Sequence, residues 1–191
     1  MTDFQQNAIS LASAQDTPAW LASLRQQGAT DWSAAAWPGR KTELWQNTPL
    51  APLQSACPSR WAAVTDSVWP ANIEAIPLDA TRLVFINGHF AVEHSSSLPQ
   101  GVVRFVDADP AQQQLIKQHL GQVVDVQRHL FAALSNAWLA DGVLVQVDKG
   151  QTLDKPVYIL NISTPEAQPA VSNQRVLLVL EEGSQAEVIE H

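Results

Sequence analysis

Two stretches of this chain repeat one pattern: a run of Val and Leu, two charged residues and a glycine, then a second apolar run. In Asp141 to Leu160, DGVLVQVDKGQTLDKPVYIL, residues Val143, Leu144, Val145 and Val147 lead to Asp148, Lys149 and Gly150. In Val176 to Glu190, VLLVLEEGSQAEVIE, residues Val176, Leu177, Leu178 and Leu180 lead to Glu181, Glu182 and Gly183. The two glycines lie 33 residues apart. Runs rich in Val favour strand, and a glycine after two polar residues marks a corner that needs positive φ. Each copy is therefore expected to be strand, tight corner, strand. Apolar runs this continuous belong to strands covered on both faces. Such units without long intervening helices predict a parallel β-solenoid, a fold that needs three or more repeats and a cap. Two units lead to the expectation that the chain is the front portion of a longer protein. A fragment ending at His191 should then form a homodimer or aggregate through its open end.

The chain has 191 residues, 46% of them hydrophobic, which is enough for one sizeable core or two small ones. Its net charge of −8 comes from 11 basic and 19 acidic residues with no Lys or Arg cluster, so nucleic acid is not an expected partner. No apolar run approaches membrane-spanning length, and the N-terminus lacks a basic start followed by an apolar core, so a cytoplasmic protein without a membrane partner is expected. The single cysteine, Cys57, suits a reducing compartment.

Ahead of the repeat the period is mostly helical. Phe4, Ala8 and Leu11 predict a first helix. A second is expected to be capped by Asp16 or Thr17, to carry Pro18 in its first turn, to present Trp20, Leu21 and Leu24, and to end at Gly28. A short helical turn over Asp31 to Trp37 and one or two turns over Arg60 to Trp69 flank a loop broken by Pro49, Pro52 and Pro58. From Arg82 the pattern changes: RLVFINGHF reads as a hairpin, because Asn-Gly supplies the two positive-φ residues of a tight turn. Val102 to Val106 reads as a third strand, Asp109-Pro110 starts a helix that runs to Gly121, and a further helix spans about Asp125 to Leu139. The expected fold class is α+β in three parts. Residues 1–80 are mainly helical, residues 81–140 hold the hairpin with two helices, and residues 141–191 form the first rungs of the parallel coil.

Four stretches in this order carry a family resemblance. Pro38, Arg40, Lys41, Glu43 and Trp45 in PGRKTELWQNTPL, then RLVFINGHF, then Leu134 to Pro156, then LEEGSQAEVIEH resemble the N-terminal portion of the SufB/SufD family of iron–sulfur cluster assembly scaffolds. One departure is Asn47, which stands where the family carries an aromatic residue. The resemblance implies a right-handed parallel β-helix flanked by helices. It also implies a complex with a SufB-like paralogue and a SufC-like ATPase, in which an iron–sulfur cluster is built. The family's partner-contacting and cluster-contacting residues lie C-terminal to this sequence, so none falls on a position here.

The residues themselves offer no competing chemistry. Cys57, between Ala56 and Pro58, has no second Cys and no nearby His, and reads as an incidental thiol. His89 and His94 would point to opposite faces of one straight strand, His119 and His129 lie on separate predicted helices, and His191 is the last residue. Asp109 reads as a helix cap beside Asp107, while Glu181-Glu182, Asp148-Lys149 and Asp154-Lys155 read as solvated corners rather than the paired carboxylates of a glycosidase. No glycine-rich phosphate loop occurs. Trp20, Trp32, Trp37, Trp45 and Trp61 read as packing for a small core rather than a ligand cage. No catalytic, cofactor-binding or metal residue is assigned. The expectation is a non-catalytic scaffold with no cofactor of its own in this chain. The alternative is a small-molecule or metal-binding β-barrel of cupin type.

Overall fold

The computed structural model describes residues 2–15, 17–56, 60–62, 69–70, 73–165 and 170–191. Its helices are α1 (Asp3–Ser13), α2 (Ala22–Ala34), α3 (Ala51–Ala56), α4 (Pro110–His119) and α5 (Leu130–Ala137). Its strands are β1 (Thr81–Ile86), β2 (His89–Phe90), β3 (Val102–Arg104), β4 (Gly142–Val147), β5 (Val157–Ile162), β6 (Arg175–Leu180) and β7 (Val188–Glu190). Two compact units interleave along the chain instead of following one another. The first comprises Met1–Trp61, Lys117–Ala140 and Glu166–Asn173, and the second Ala62–Ile116, Asp141–Pro165 and Gln174–His191.

The helical unit is built around α1, α2 and α5. Helix α1 opens on a reciprocal cap: the Gln5 amide donates to the Thr2 hydroxyl at 3.2 Å, and the Thr2 amide donates to the Gln5 side chain at 2.9 Å. Its apolar stripe of Phe4, Ala8, Leu11 and Ala12 packs with Trp32, Leu130, Ala133, Leu134, Ala137 and Trp138. Two helix boundaries differ from the sequence reading. Helix α2 does not end at Gly28 but runs through it to Ala34, absorbing most of the turn expected over Asp31 to Trp37. Gly28 lies where α2 meets α5, and a Cβ there would sit 2.5 Å from the Ala137 nitrogen and 2.9 Å from the Ala133 oxygen. The glycine permits a close crossing instead of a stop. Trp20 and Leu21 belong to a 3-10 turn ahead of α2, and the Thr17 hydroxyl accepts from Arg25 instead of capping. Asp16 lies outside the described residues. The later helix begins at Leu130, because Asp125 uses its carboxylate to accept the Gln127 amide at 2.9 Å in a preceding turn. Within Arg60 to Trp69, residues 63–68 lie outside the description, and Trp61 makes a parallel bridge with Val171.

The second unit holds two mixed sheets, one ordered β2-β1-β5-β7 and the other β3-β4-β6. Asn87 (φ 54°) and Gly88 (φ 82°) turn β1 into β2, as Asn-Gly requires. The third strand stops at Arg104 and passes into a 3-10 turn over Phe105–Asp107. Leu83, Phe85, Val102, Val143, Val145, Val147, Val157 and Ile159 fill the space between the sheets. On the other face of the four-stranded sheet, Val84, Ile86, Tyr158, Leu160 and Ile162 are covered by Trp69, Ile73, Ala75 and Ala80. Both faces of β1 and β5 are thus dry, and their residues run apolar without alternation. Among the described residues neither sheet closes on itself, so the barrel needed by the cupin alternative is absent.

The repeated stretches lie alongside each other in parallel. Val143 through Val147 pair with Val176 through Leu180, and Val157 through Ile159 pair with Val188 through Glu190. The corners match as well: Gly150 and Gly183 have φ of 70° and 73°, and the Gly150 amide donates to the Glu182 carbonyl at 3.0 Å. Before the corner, partners are 33 residues apart and after it 31, so the Leu153 to Pro156 stretch of the first copy absorbs two extra residues. Strand β1 adds to the four-stranded sheet in parallel with β5, Thr81 opposite Val157 and Ile86 opposite Ile162, a pairing between residues 76 apart that no local signal announces.

Candidate assembly surface

The residues weighed for chemistry are dispersed. Cys57 lies outside the described residues. Strand β2 ends at Phe90, so His89 and His94 do not share a strand as the sequence reading supposed. His89 Nε2 is 3.3 Å from the Ala62 carbonyl, and the His94 ring meets Trp69 edge-on at 5.3 Å. His119 closes α4, His129 precedes α5, and His191 Nδ1 is 2.8 Å from the Tyr158 hydroxyl. Asp109 Oδ1 accepts the Ala111 and Gln112 amides at 2.8 and 2.9 Å, the helix cap read from the sequence. Asp107 turns instead to Arg104, 3.5 Å away. Among the described residues no three His, Cys, Asp or Glu side chains are placed to hold a metal ion together.

Sequence reasoning missed the role of Arg104 and Asp141. Arg104 Nη2 and Nε donate to Asp141 Oδ2 at 2.6 and 3.1 Å, and the Gly142 amide donates to Asp141 Oδ1 at 2.8 Å. The guanidinium lies 4.8 Å from the centre of the Phe90 ring. This cluster ties β2, β3 and the start of β4 together, and the Asp-Gly pair that leads into the first repeat was its only sequence trace.

The tryptophans pack. Trp32 is fully buried among Phe4, Trp37 and Phe131 at centroid distances of 5.8 to 6.2 Å, and its indole N–H donates to the Gln5 carbonyl at 3.2 Å. Trp61 meets Trp138 edge-on at 5.4 Å, Trp45 tilts against Phe131 at 5.3 Å, and Trp20 receives Lys117 at 5.8 Å. The described residues of this unit line surface clefts. One of about 730 Å³ runs between α1 and α2 over Arg25, whose guanidinium burial pulls below the usual arginine value. Another, of about 510 Å³, is bounded by Trp37, Arg40, Trp45 and Gln54.

Among the described residues, the outer edge of the second repeat has no covering strand. Val145 and Val147 of β4 are 0% and 3% exposed, whereas the residues paired with them on β6, Leu178 and Leu180, are 46% and 48% exposed. Strand β7 shows the same loss against buried β5. At the opposite side the first repeat is flanked by antiparallel strands, β2 beyond β1 in one sheet and β3 in the other. The parallel pairing is thus bounded at its start, while among the described residues β6 and β7 each pair on one side only.

Residues 2–159 match the SufBD protein N-terminal region. The chain belongs to the SufBD family. It is 27% identical over 172 residues to an iron–sulfur cluster assembly SufBD family protein of Synechocystis sp., covering 87% of this chain and 38% of that protein. It is 29% identical over 158 residues to the iron–sulfur cluster assembly protein SufD of Escherichia coli, covering 81% of this chain and 35% of that one. The chain therefore spans less than two fifths of the length of these SufBD relatives. The SufBD match ends within β5, so the second repeat with its bare edge lies past it. The segment that first suggested the family, Pro38 to Trp45, puts Arg40, Lys41 and Glu43 on the surface and Trp45 against Phe131. No described helix is long and apolar enough to cross a membrane.

Proposed function

We propose that this chain is the N-terminal part of a cytoplasmic, SufD-like, non-catalytic scaffold subunit of iron–sulfur cluster assembly. It acts with a SufB-like paralogue and a SufC-like ATPase, and its two stacked repeats are the first turns of a right-handed parallel β-helix. Membership of the SufBD family and the names of its relatives support the assembly role. The way it works is supported by one observation above the rest: the apolar layer between the sheets is closed at β4 and left half-exposed at β6. A strand edge with unpaired backbone groups and an adjoining apolar layer is a surface made to be continued by more strands. The cluster is cargo here. A competent cluster site needs several soft ligands, and in this reading they come from the remainder of the protein and its partner.

The test is to tag the full-length protein in its own host and ask what it brings with it. Stoichiometric recovery of a paralogous subunit and an ATPase, together with loss of iron–sulfur enzyme activity when the protein is deleted, is the expected result. A full-length protein that recovers neither subunit, and whose deletion leaves iron–sulfur enzymes intact, overturns the proposal.

A further inference from the structure

The indole N–H groups of this chain are used unequally. Trp32, Trp61, Trp69 and Trp138 each donate theirs to a backbone carbonyl, at 2.7 to 3.2 Å. Trp37 and Trp45 line the cleft of about 510 Å³, and among the described residues neither indole N–H has an acceptor. Neither nitrogen is sealed from water. We propose that this cleft is a docking site for an acidic, proline-rich segment of another protein, bound in the polyproline II conformation. The inference stands apart from the strand repeat and adds a second contact surface in the helical unit.

The cleft is built by a run of local turns. The Thr42 amide donates to the Gly39 carbonyl at 2.9 Å and the Gly39 amide to the Thr42 hydroxyl at 3.1 Å. The Trp45 amide then donates to the Thr42 carbonyl at 2.8 Å, and the Thr48 amide to the Trp45 carbonyl at 3.0 Å. The rings are held from behind: Trp45 rests on Phe131 at 5.3 Å, and Trp37 meets Phe4 and Phe131 at 5.6 and 6.3 Å. Backbone and rings are therefore ordered before a ligand arrives, which lowers the cost of binding one. The volume also falls within the range of about 300–1,000 Å³ typical of specific ligand sites.

The chemistry of the wall selects the occupant. Its two indoles and the Arg40 guanidinium can only donate hydrogen bonds. A helix has already spent its carbonyls on its own amides, and a strand presents as many donors as acceptors. Polyproline II leaves every carbonyl unbonded, each proline brings an acceptor without a donor, and its rings suit an aromatic-lined groove. Arg40 is exposed and, among the described residues, has no ion pair; Lys41 beside it is the same. Glu43 is not part of the lining. A carboxylate on the ligand therefore has a cation to meet and no anion in the cleft. Nucleic acid also stacks on tryptophan, but the net charge of −8 opposes it.

The experiment titrates full-length protein, isotope-labelled at its tryptophan indoles, with blocked synthetic peptides and follows the indole N–H resonances by NMR. Trp37→Phe and Trp45→Phe assign the two signals. The peptide PPEPPEPP is expected to shift both and to leave those of Trp32 and Trp138, already bonded to carbonyls, in place. PPKPPKPP should bind about two- to five-fold more weakly, the factor an exposed ion pair supplies, and Arg40→Gln should abolish that preference. Trp45→Phe keeps a ring and loses the donor, and should weaken PPEPPEPP about two- to ten-fold. Should Trp45→Phe disturb the fold by circular dichroism, Arg40→Gln, at an exposed residue, still decides. No shift at millimolar PPEPPEPP, or equal binding of GGEGGEGG, would overturn the proline-rich ligand. A preference for glutamate that survives Arg40→Gln would overturn the role of Arg40, and tighter binding of an oligothymidylate would overturn the choice of a protein partner.

Discussion

Gly28→Ala is the substitution for which local and tertiary reasoning disagree in sign. In an exposed helix interior, replacing glycine by alanine gains about 1 kcal/mol. Here the new Cβ would meet the Ala137 nitrogen at 2.5 Å, Asn136 Cβ at 2.7 Å and the Ala133 oxygen at 2.9 Å, against ordinary contacts of about 3.5–4.0 Å. None of these atoms sits at the end of a side chain that can rotate away, so α2 must retreat from α5 by about 1 Å. That retreat loosens the packing around Trp32 and Ala137 and lengthens the 3.3 Å hydrogen bond from Arg25 Nε to the Ala137 carbonyl. Overpacking of this kind costs about 1–3 kcal/mol or more. Taking the upper part of that range against the propensity gain leaves a net destabilisation of about 2 kcal/mol, or a Tm lower by about 4–8 °C for a chain of this size. Urea unfolding followed by tryptophan fluorescence reads the helical unit directly, since Trp32 and Trp138 are in its core. Gly39→Ala is the control, because a Cβ there meets nothing within 4 Å, and it should change stability by less than about 0.5 kcal/mol. If Gly28→Ala is as stable as the parent or more so, the close crossing of α2 and α5 is wrong.

Further consequences fall in the second unit and can be checked by urea unfolding followed by far-ultraviolet circular dichroism, which reports sheets as well as helices. Asn87 Nδ2 donates to Thr164 Oγ1 at 2.8 Å and its Oδ1 accepts the Thr164 amide at 2.9 Å. Asn87→Gly keeps the turn but loses the clamp and should cost about 1–3 kcal/mol, while Asn87→Ala should cost about 1 kcal/mol more for its positive φ. Equal stabilities for the two variants would refute the separation of roles. Asp141→Ala removes the two hydrogen bonds from Arg104, whose side chain is 23% exposed, leaves it only Asp107 at 3.5 Å as an ionic partner among the described residues, and should cost about 1.5–3 kcal/mol; a neutral result would show that the pair does not hold β3 to β4. Leu144→Ala, fully buried on β4, should cost about 2–5 kcal/mol. Leu178→Ala, 46% exposed on β6, should cost less than about 1 kcal/mol in the chain of 191 residues and, on the scaffold reading proposed above, distinctly more in a longer chain that covers this edge. No difference between the two settings argues against a covered edge.

Legibility from sequence followed the range of the forces involved. The Asn87-Gly88 turn, the Asp109 cap and the corner glycines Gly150 and Gly183 were readable because each is specified within four residues by backbone geometry. The end of α2 was misread because a glycine in a helix looks the same whether it stops the helix or lets another one approach, and only α5 distinguishes the two. The start of α5 was misread because an apolar period continued upstream through residues that the Asp125 turn holds out of the helix. Of the candidate surface, the repeat was visible and so were its solvated corners, where the Lys149 and Glu182 side chains are 70% and 81% exposed. That Lys149 reaches from one corner to Glu182 of the next needed the register to be known.

By itself, then, the sequence determined the order and type of most elements of this SufBD chain, though not all their ends, together with its repeated strand-corner-strand units and the polarity of their corners, since these depend on dihedral preference and on which side chains shun water. The tertiary structure alone decided that β1 pairs with β5, that Arg104 closes on Asp141, that Gly28 is a contact and not a terminus, and that β6 stands bare where β4 is covered. Those outcomes depend on segments distant in the chain meeting at van der Waals range, and the cost or gain of such a meeting is written in neither segment alone.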